Sequence, residues 1–303
     1  MAPLKAMSER VEERACDWGV LVQDTLETQS SFIAFGKRGD QPVVLKVIRQ
    51  PGDEWRCGEV SAAFGGSGMA RVYEYTEGAV LLERLNPGAH LAGIALDGRD
   101  EEATEILADV IDRMSRPCES LDESLRKASK AFVSARDWGR GFQRYLASGD
   151  HQIPTRLVEQ ARQLYFDLCA SQRGVRLLHG DLQHYNVLFD SDRGWLAIDP
   201  KGVIGEVEYE IGASLRNPYE KPELFASPQS VEKRLRCFEA KLKLNSDRAL
   251  AWGFAQAVLS AVWSVEDGFA VDAGNPSLRL ADAIWPILKL SGQNSNAKDG
   301  SLV

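Results

Sequence analysis

Two short apolar runs, Val187–Phe189 and Trp195–Ile198, flank the turn-forming segment Asp190-Ser191-Asp192-Arg193-Gly194. Runs of this length around a polar, Gly-ended connection specify a β-hairpin. Asn186 immediately precedes the first run and Asp199 immediately follows the second. Antiparallel pairing therefore brings both residues to the open end of one hairpin, within reach of a shared cation. Their amide and carboxylate oxygens are hard donors of the kind that suits Mg²⁺. Taken singly, Asp199 has the lesser alternative of a pre-proline turn residue, and Asp181, five positions before Asn186, that of a turn or cap residue.

The three residues together say more. Leu178-His179-Gly180-Asp181-Leu182-Gln183-His184-Tyr185-Asn186, followed by Asp199-Pro200, resembles a phosphotransferase catalytic loop. In that pattern an Asp accepts the proton of the acceptor hydroxyl, an Asn five positions on holds Mg²⁺, and a later Asp holds the metal that bridges the phosphates. Asp181, Asn186 and Asp199 stand in that order.

Composition limits the partners. The 303 residues, 44% of them hydrophobic, are enough for one large domain or two lobes with a substantial core. A formal net charge of −8 argues against nucleic acid as the main partner and suits a cationic small molecule. Cys16, Cys57, Cys118, Cys169 and Cys237 are scattered without C-x-x-C spacing, so neither a disulfide framework nor a zinc site is implied. The stretch Met1–Asp17 lacks the apolar core of a signal peptide, and no run of about 18 apolar residues occurs. The expectation is a cytoplasmic protein without a membrane partner, its oligomeric state left open.

The N-terminal part alternates like a small sheet. After a charged helix over 8–16, Val20–Val22 and Phe32–Phe35 read as strands. Between them, Ser30 and Ser31 could cover phosphates with hydroxyls and backbone amides, or simply form a hairpin turn. Val43–Ile48 is a third strand with Lys46 in its middle, a charge that needs a partner or a route to water. Asp53–Phe64 reads as a helix with Asp53 as N-cap and Gly65-Gly66 as its stop. It carries Glu54 and Glu59; Glu59 is the choice for an ion pair with Lys46, with a solvated helix face as the alternative. Strands Ala70–Tyr75 and Val80–Leu85 follow, and Leu85-Asn86-Pro87-Gly88 reads as a hinge.

Past that point helices dominate. Ile106, Leu107, Val110, Ile111 and Met114 recur at helical spacing, as do Leu157, Ala161, Leu164, Tyr165 and Leu168, which marks core stripes. Phe132, Trp138, Phe142 and Tyr145 are read as core aromatics, with a sugar-binding wall as the alternative. Glu206, Glu208 and Glu210 precede an apolar helix, where acids are favoured electrostatically in any case. Val231–Lys243 and Arg248–Val265 are further helices. The second ends on Glu266 and Asp267, carboxylates that oppose the helix dipole and either hold a cation or face solvent. Residues 291–303 are polar and read as a disordered tail.

Leu178–Asn186, Ile198-Asp199-Pro200-Lys201-Gly202 with Gly205-Glu206, and Leu81-Leu82-Glu83-Arg84-Leu85 together resemble the aminoglycoside phosphotransferase superfamily. The likeness is greatest to its streptomycin 6-phosphotransferase and hydroxyurea phosphotransferase branch, over roughly Val43–Gly268. His-Gly-Asp in place of the His-Arg-Asp of protein kinases separates the two groups. The resemblance implies an α+β, two-lobed protein-kinase-like fold: a sheet-rich nucleotide-binding lobe over 1–85, then a larger helical lobe over 86–290 that contains the catalytic hairpin. It implies ATP and Mg²⁺ as cofactors, Asp181 as base, Asn186 and Asp199 as metal ligands, Lys46 on the nucleotide phosphates, and Glu59 as its helix partner. His179 would brace the loop, Lys201 would face the active site, and the backbone of Glu83 to Leu85 would meet the adenine edge. The implied reaction is phosphorylation of an aminoglycoside hydroxyl, streptomycin foremost, with Glu208, Glu266 and Asp267 as carboxylates for its guanidinium groups. Kinases of hydroxyurea or of an amino alcohol or amino sugar are the alternatives. A nucleotide-binding pseudokinase acting as an interaction module is a third, against which the intact Lys46, Asp181, Asn186 and Asp199 argue.

Overall fold

The computed structural model describes residues 6–52, 54–115 and 132–299, with side chains described as far as 289. It has an α+β kinase-like fold that divides into two compact units. The first comprises residues 1–90 and 186–202, the second 91–185 and 203–303.

The first unit is built on a five-stranded antiparallel sheet. Strands β1 (Leu21–Glu27), β2 (Ser31–Arg38), β3 (Gln41–Ile48), β4 (Val72–Thr76) and β5 (Ala79–Glu83) are ordered β1-β2-β3-β5-β4. Alternation along β2 and β3 sends Ala34, Val43, Leu45 and Val47 into a core that Val11 and Ala15 of helix α1 (Met7–Asp17) cover from one side. A second sheet joins β6 (Pro87–His90) to the hairpin β9 (Val187–Asp190) and β10 (Gly194–Ala197), in the order β10-β9-β6. The hairpin pairs Gly194 with Asp190 and Ala197 with Val187, the register that its two apolar runs predict.

Here the expected boundary moves. The segment Leu85-Asn86-Pro87-Gly88, expected as a hinge, runs into a strand: Pro87 opens it at the sheet edge, a position proline tolerates because no ladder donor is required of it. The Asn86 N–H donates to the Asp190 carboxylate at 3.0 Å, and the Ser191 N–H donates to the Asn86 carbonyl at 2.8 Å. These bonds, together with the Ala70 N–H on the Ala197 carbonyl, carry the hairpin into the first unit rather than into the helical part to which the sequence reading assigned it. The helix expected over 53–64 is shorter, α2 (Cys57–Ala63), with Glu54 in the turn before it. Asp53, its expected N-cap, lies outside the described residues.

The second unit is helical. Its long elements are α4 (Asp100–Met114), following the short α3 (Ala92–Leu96), then α5 (Ala135–Trp138), α6 (Arg140–Ser148), α7 (Thr155–Ala170), α8 (Val207–Leu215), α9 (Pro228–Leu242), α10 (Ser246–Glu266) and α11 (Pro276–Asp299). The last runs as helix through 291–299, where composition suggested a disordered tail. A short three-stranded sheet of β7 (Val133–Ser134), β8 (Arg176–Leu178) and β11 (Val203–Gly205) has the order β7-β11-β8. The core is aromatic: Tyr165 and Tyr209 each stand 5.0 Å from Trp252, and Phe142 lies 5.5 Å from Tyr165. Phe132, Phe142 and Tyr145 are buried, so these positions are packing residues. Among the described residues no helix is long and apolar enough to cross a membrane.

Candidate active site

The charged centre of the first unit forms around Lys46. It sits mid-strand in β3 with a side chain only 10% exposed, so its ammonium must find anions inside the protein. It finds two. Asp199 Oδ1 accepts from Nζ directly, and Glu54 Oε2 lies 3.1 Å away. Burial works against the charge, but Asp199 and Glu54 outweigh it and hold the lysine pKa above its ordinary value. Glu54 also accepts from Lys201 Nζ at 2.6 Å. Burial would push Glu54 up, yet Lys201 and Lys46 together hold it below the usual carboxylate range. The chain Lys201–Glu54–Lys46–Asp199 is thus a row of alternating charges.

The helix glutamate is therefore not the partner of Lys46. Glu59 instead pairs with Arg56 at 2.6 Å, three residues back on the same face. The carboxylate in the turn before this short helix reaches the strand, and the one in the helix's first turn pairs with Arg56 instead.

Asp199 has a backbone of its own kind. Its φ of +59° lies in the left-handed region, which Asp tolerates better than most residues. At the hairpin's open end the Ile198 N–H donates to the Asn186 carbonyl at 2.9 Å, which ties the two chain ends together. Asn186 closes a 3₁₀ turn over His184–Asn186. The donor chemistry of Asn186 and Asp199 fits a hard divalent cation such as Mg²⁺.

A cavity of about 560 Å³ opens beside this centre, within the usual range for a small-molecule site. Ile33, Val44, Val80, Leu82, Leu188 and Ile198 give it apolar walls, with Lys46 and Asp199 among its polar groups. Ser30, Ser31, Glu83 and Leu85 also line it. The Ser30 hydroxyl donates to Glu54 at 3.2 Å. Ser31 is buried in the β1–β2 turn, its N–H donating to the Thr28 hydroxyl oxygen at 2.9 Å. Glu83 uses its N–H on the Arg71 carbonyl and its carboxylate on Arg193. Among the described residues the Leu85 backbone makes no hydrogen bond.

In the second unit, the loop over 179–182 is held by one helix end. Glu210 of α8 is buried and takes the His179 N–H at 2.6 Å on Oε2 and the Gly180 N–H at 3.0 Å on Oε1. One turn on, the Ser214 hydroxyl donates to the Leu182 carbonyl at 2.8 Å. Arg216 then brings Nη2 to 3.6 Å from Asp181 Oδ1. Gly180 has φ +84°, and a Cβ there would fall 2.5 Å from the Val203 side chain, so only glycine serves. The His179 ring is buried and its Nδ1 accepts the Asp181 N–H at 3.3 Å, a bracing contact within the loop. Burial pushes the Glu210 carboxyl up to about 7; its backbone donors offset part of that, and the nearby Asp181 charge adds to it.

The sequence reading named neither Glu54, Glu210 nor Arg216 as a site residue. For Glu210 a signal existed: Glu206 and Glu210 are four residues apart on one helical face among apolar neighbours, and both are buried. Glu206 accepts from Arg248 and from the Trp252 indole.

The three acceptor-site carboxylates are not brought together. Glu208 accepts the Asn245 N–H at 3.2 Å. Glu266 makes a bidentate pair with Arg144 at 2.8 and 2.9 Å, so its apparent mismatch with the helix dipole is answered by a neighbouring helix. Asp267 is the exposed C-cap of α10.

Comparison with known proteins adds the following. The family described as aminoglycoside/hydroxyurea antibiotic resistance kinase matches residues 19–268. A streptomycin 3''-kinase of Klebsiella pneumoniae is 36% identical over 248 residues, which is 81% of this chain and 88% of that protein. A hydroxyurea phosphotransferase of Kitasatospora aureofaciens is 29% identical over 251 residues, 76% of this chain and 68% of the relative. Among solved structures, a thermostable mutant of aminoglycoside phosphotransferase APH(4)-Ia, in ternary complex with ADP and hygromycin B, superposes with a TM-score of 0.62. That likeness covers 90% of this chain and 97% of the other at 17% identity, and it is a likeness of fold.

Proposed function

The chain belongs to the aminoglycoside/hydroxyurea antibiotic resistance kinase family and is a phosphotransferase with an alcohol acceptor; from that premise we propose that it inactivates streptomycin by moving the γ-phosphate of ATP onto a hydroxyl of the drug. The observation that carries the phosphotransfer part is Lys46, a buried cation held between Asp199 and Glu54 at the wall of an apolar cavity. Such a cation on a rigid strand suits a nucleotide's phosphate charge, and the apolar walls suit a base. The unspent Leu85 backbone groups fit the adenine edge. Streptomycin is the acceptor favoured by the 36% identical relative.

In this reading Asp181 orients the acceptor hydroxyl and takes its proton as the oxygen bonds to the γ-phosphorus, while the bond to the ADP oxygen breaks. Phosphoryl transfer passes through a loose transition state, so the protein's work is placement and charge neutralisation. Asn186 and Asp199 would hold Mg²⁺, which when bound neutralises phosphate charge. Lys46 neutralises more of it, with Glu54 and Lys201 keeping the ammonium in place.

The test is a coupled ADP-release assay with Mg-ATP over streptomycin, hydroxyurea, ethanolamine and choline, with mass spectrometry of each acceptor. The expected result is one added phosphate on streptomycin, at a ring position that fragmentation identifies. Phosphate on hydroxyurea and none on streptomycin would refute the streptomycin assignment, and ADP release with no acceptor modified would refute the transfer itself.

A further inference from the structure

Helix α9 carries a charge where its apolar stripe calls for a hydrocarbon. Val231, Arg234, Leu235 and Phe238 recur at helical spacing and all are buried, Arg234 with 1% of its surface exposed. A cation at such a position has to be paired and hydrogen-bonded. Arg234 is both. Its Nε and Nη2 donate to the two oxygens of Asp100 at 3.1 and 2.6 Å, a bidentate clamp on the first residue of α4. Its Nη1 donates to the carbonyls of Ser214 at 2.9 Å and Asn217 at 2.8 Å, with the Leu215 carbonyl at 3.4 Å.

Those carbonyls close α8. The last carbonyls of a helix have no partner within it, and Pro218, four residues after Ser214, has no N–H to offer. The helix dipole favours a cation at this end, as it favours an acid at the start of α4. Stability alone does not explain the choice of residues. A buried arginine–carboxylate pair is often replaceable by neutral side chains without loss, because desolvation offsets the attraction. What the pair adds is a fixed place for the segment whose carbonyls it gathers.

That segment holds the loop of Asp181. Ser214 is the common member: its carbonyl accepts from Arg234 Nη1, and its hydroxyl donates to the Leu182 carbonyl at 2.8 Å. One turn earlier, Glu210 accepts the His179 and Gly180 N–H groups. Helix α8 therefore grips the loop on both sides of Asp181, and Arg234 grips the end of α8. We infer that Arg234, fixed by Asp100, is a positioning residue for Asp181: two hydrogen bonds made by Ser214 connect its guanidinium to the residue next to the base. This goes beyond the proposed reaction and rests on Asp181 being its base.

The experiment compares streptomycin phosphorylation by wild type, Arg234→Met, the double variant Arg234→Met/Asp100→Asn and, as a control, Asp181→Asn. Turnover and KM for ATP are measured well below each unfolding midpoint, so that every molecule assayed is folded. Arg234→Met strands the Asp100 carboxylate, so its midpoint drops, and kcat is expected to fall at least about tenfold through the loosened loop. The double variant leaves no charge unpaired, so part of the midpoint returns. Its kcat stays at least about tenfold down, because the α8 carbonyls are still unheld, while KM for ATP stays within about threefold of wild type in both variants. Wild-type kcat in Arg234→Met, or a kcat that returns with the midpoint in the double variant, would overturn the inference alone. So would a midpoint that stays down together with kcat, or a rise in KM for ATP as large as the fall in kcat, each the pattern of a packing residue. Near-normal turnover in Asp181→Asn, or a wild type that phosphorylates no acceptor, would overturn both this inference and the reading it rests on.

Discussion

Replacing Glu210 by Gln tests how the loop bearing Asp181 is held. The carboxylate gives one oxygen to the His179 N–H and the other to the Gly180 N–H. An amide has one accepting oxygen, so one buried N–H is left facing an NH₂ group. An unsatisfied buried donor costs about 1–3 kcal/mol; about 2 kcal/mol corresponds to about 3 °C in the unfolding midpoint of a 303-residue chain. The deficit must depend on pH. Burial raises Glu210 from 4.5 to about 7, so between those values the folded wild type binds more protons than the unfolded chain. Wild-type stability from this group is therefore fully present below about pH 4.5 and declines as pH rises to about 7, by about 1.4 kcal/mol per unit, or about 3 kcal/mol in all. The variant has no such titration. Its deficit is therefore largest at the acid end and shrinks by about 3 kcal/mol toward pH 8, enough to cancel or reverse it. Turnover at pH 8 should nonetheless fall at least about tenfold, because the shifted Gly180 amide displaces Asp181. Urea titrations at pH 5, 6, 7 and 8 with matched kinetics give both quantities. A stability gap that widens with pH would refute the burial argument, and full turnover at pH 8 would refute the role given to the loop.

Five further substitutions address the charged centre around Lys46 and the proposed transfer groups. Lys46→Met should raise KM for ATP and lower turnover in steady-state assays, Glu54→Gln should do so more mildly, and Glu59→Gln, whose carboxylate pairs with Arg56 just before its helix, should stay within about twofold of wild type. Asp181→Asn should reduce turnover by at least about 10²-fold with nucleotide binding retained, whereas Asp199→Ala should abolish Mg²⁺-dependent nucleotide binding as measured by calorimetry.

Local rules carry a reader of this sequence a long way. The hairpin is legible because its strands are short apolar runs around a turn-forming segment, and pairing geometry alone brings Asn186 and Asp199 to its open end. Lys46 is legible because a charge in an apolar strand demands anions, and two are there. What stayed hidden depends on long-range closure. Glu54 reaches Lys46 only because the helix begins at Cys57 and leaves it in a turn, which propensity over 53–64 does not reveal. Glu266 looked free because Arg144, its bidentate partner, comes from a different helix far back in the chain. Arg216 follows an apolar helix with no periodic pattern to mark it, and only the folded loop places Asp181 within its reach. The hairpin was assigned to the wrong unit because the strand it joins, Pro87–His90, reads as a turn: two of its four residues are Pro and Gly.

That strand has a consequence for how the protein is made. β6 leaves the ribosome early, but the strand it hydrogen-bonds, Val187–Asp190, is synthesised only after residues 91–185. Until then the growing chain holds the five-stranded sheet with an unpaired segment at its end, and Lys46 lacks Asp199 while already having Glu54 within reach. Closing so long a loop is slow when the intervening chain is loose, and faster if that chain first collapses into a compact body. Vectorial synthesis therefore leaves the first unit, although first to emerge, incomplete until residues 186–202 follow 91–185. A nascent chain arrested before residue 186 would carry Lys46 and Glu54 without Asp199, the second anion of the charged centre.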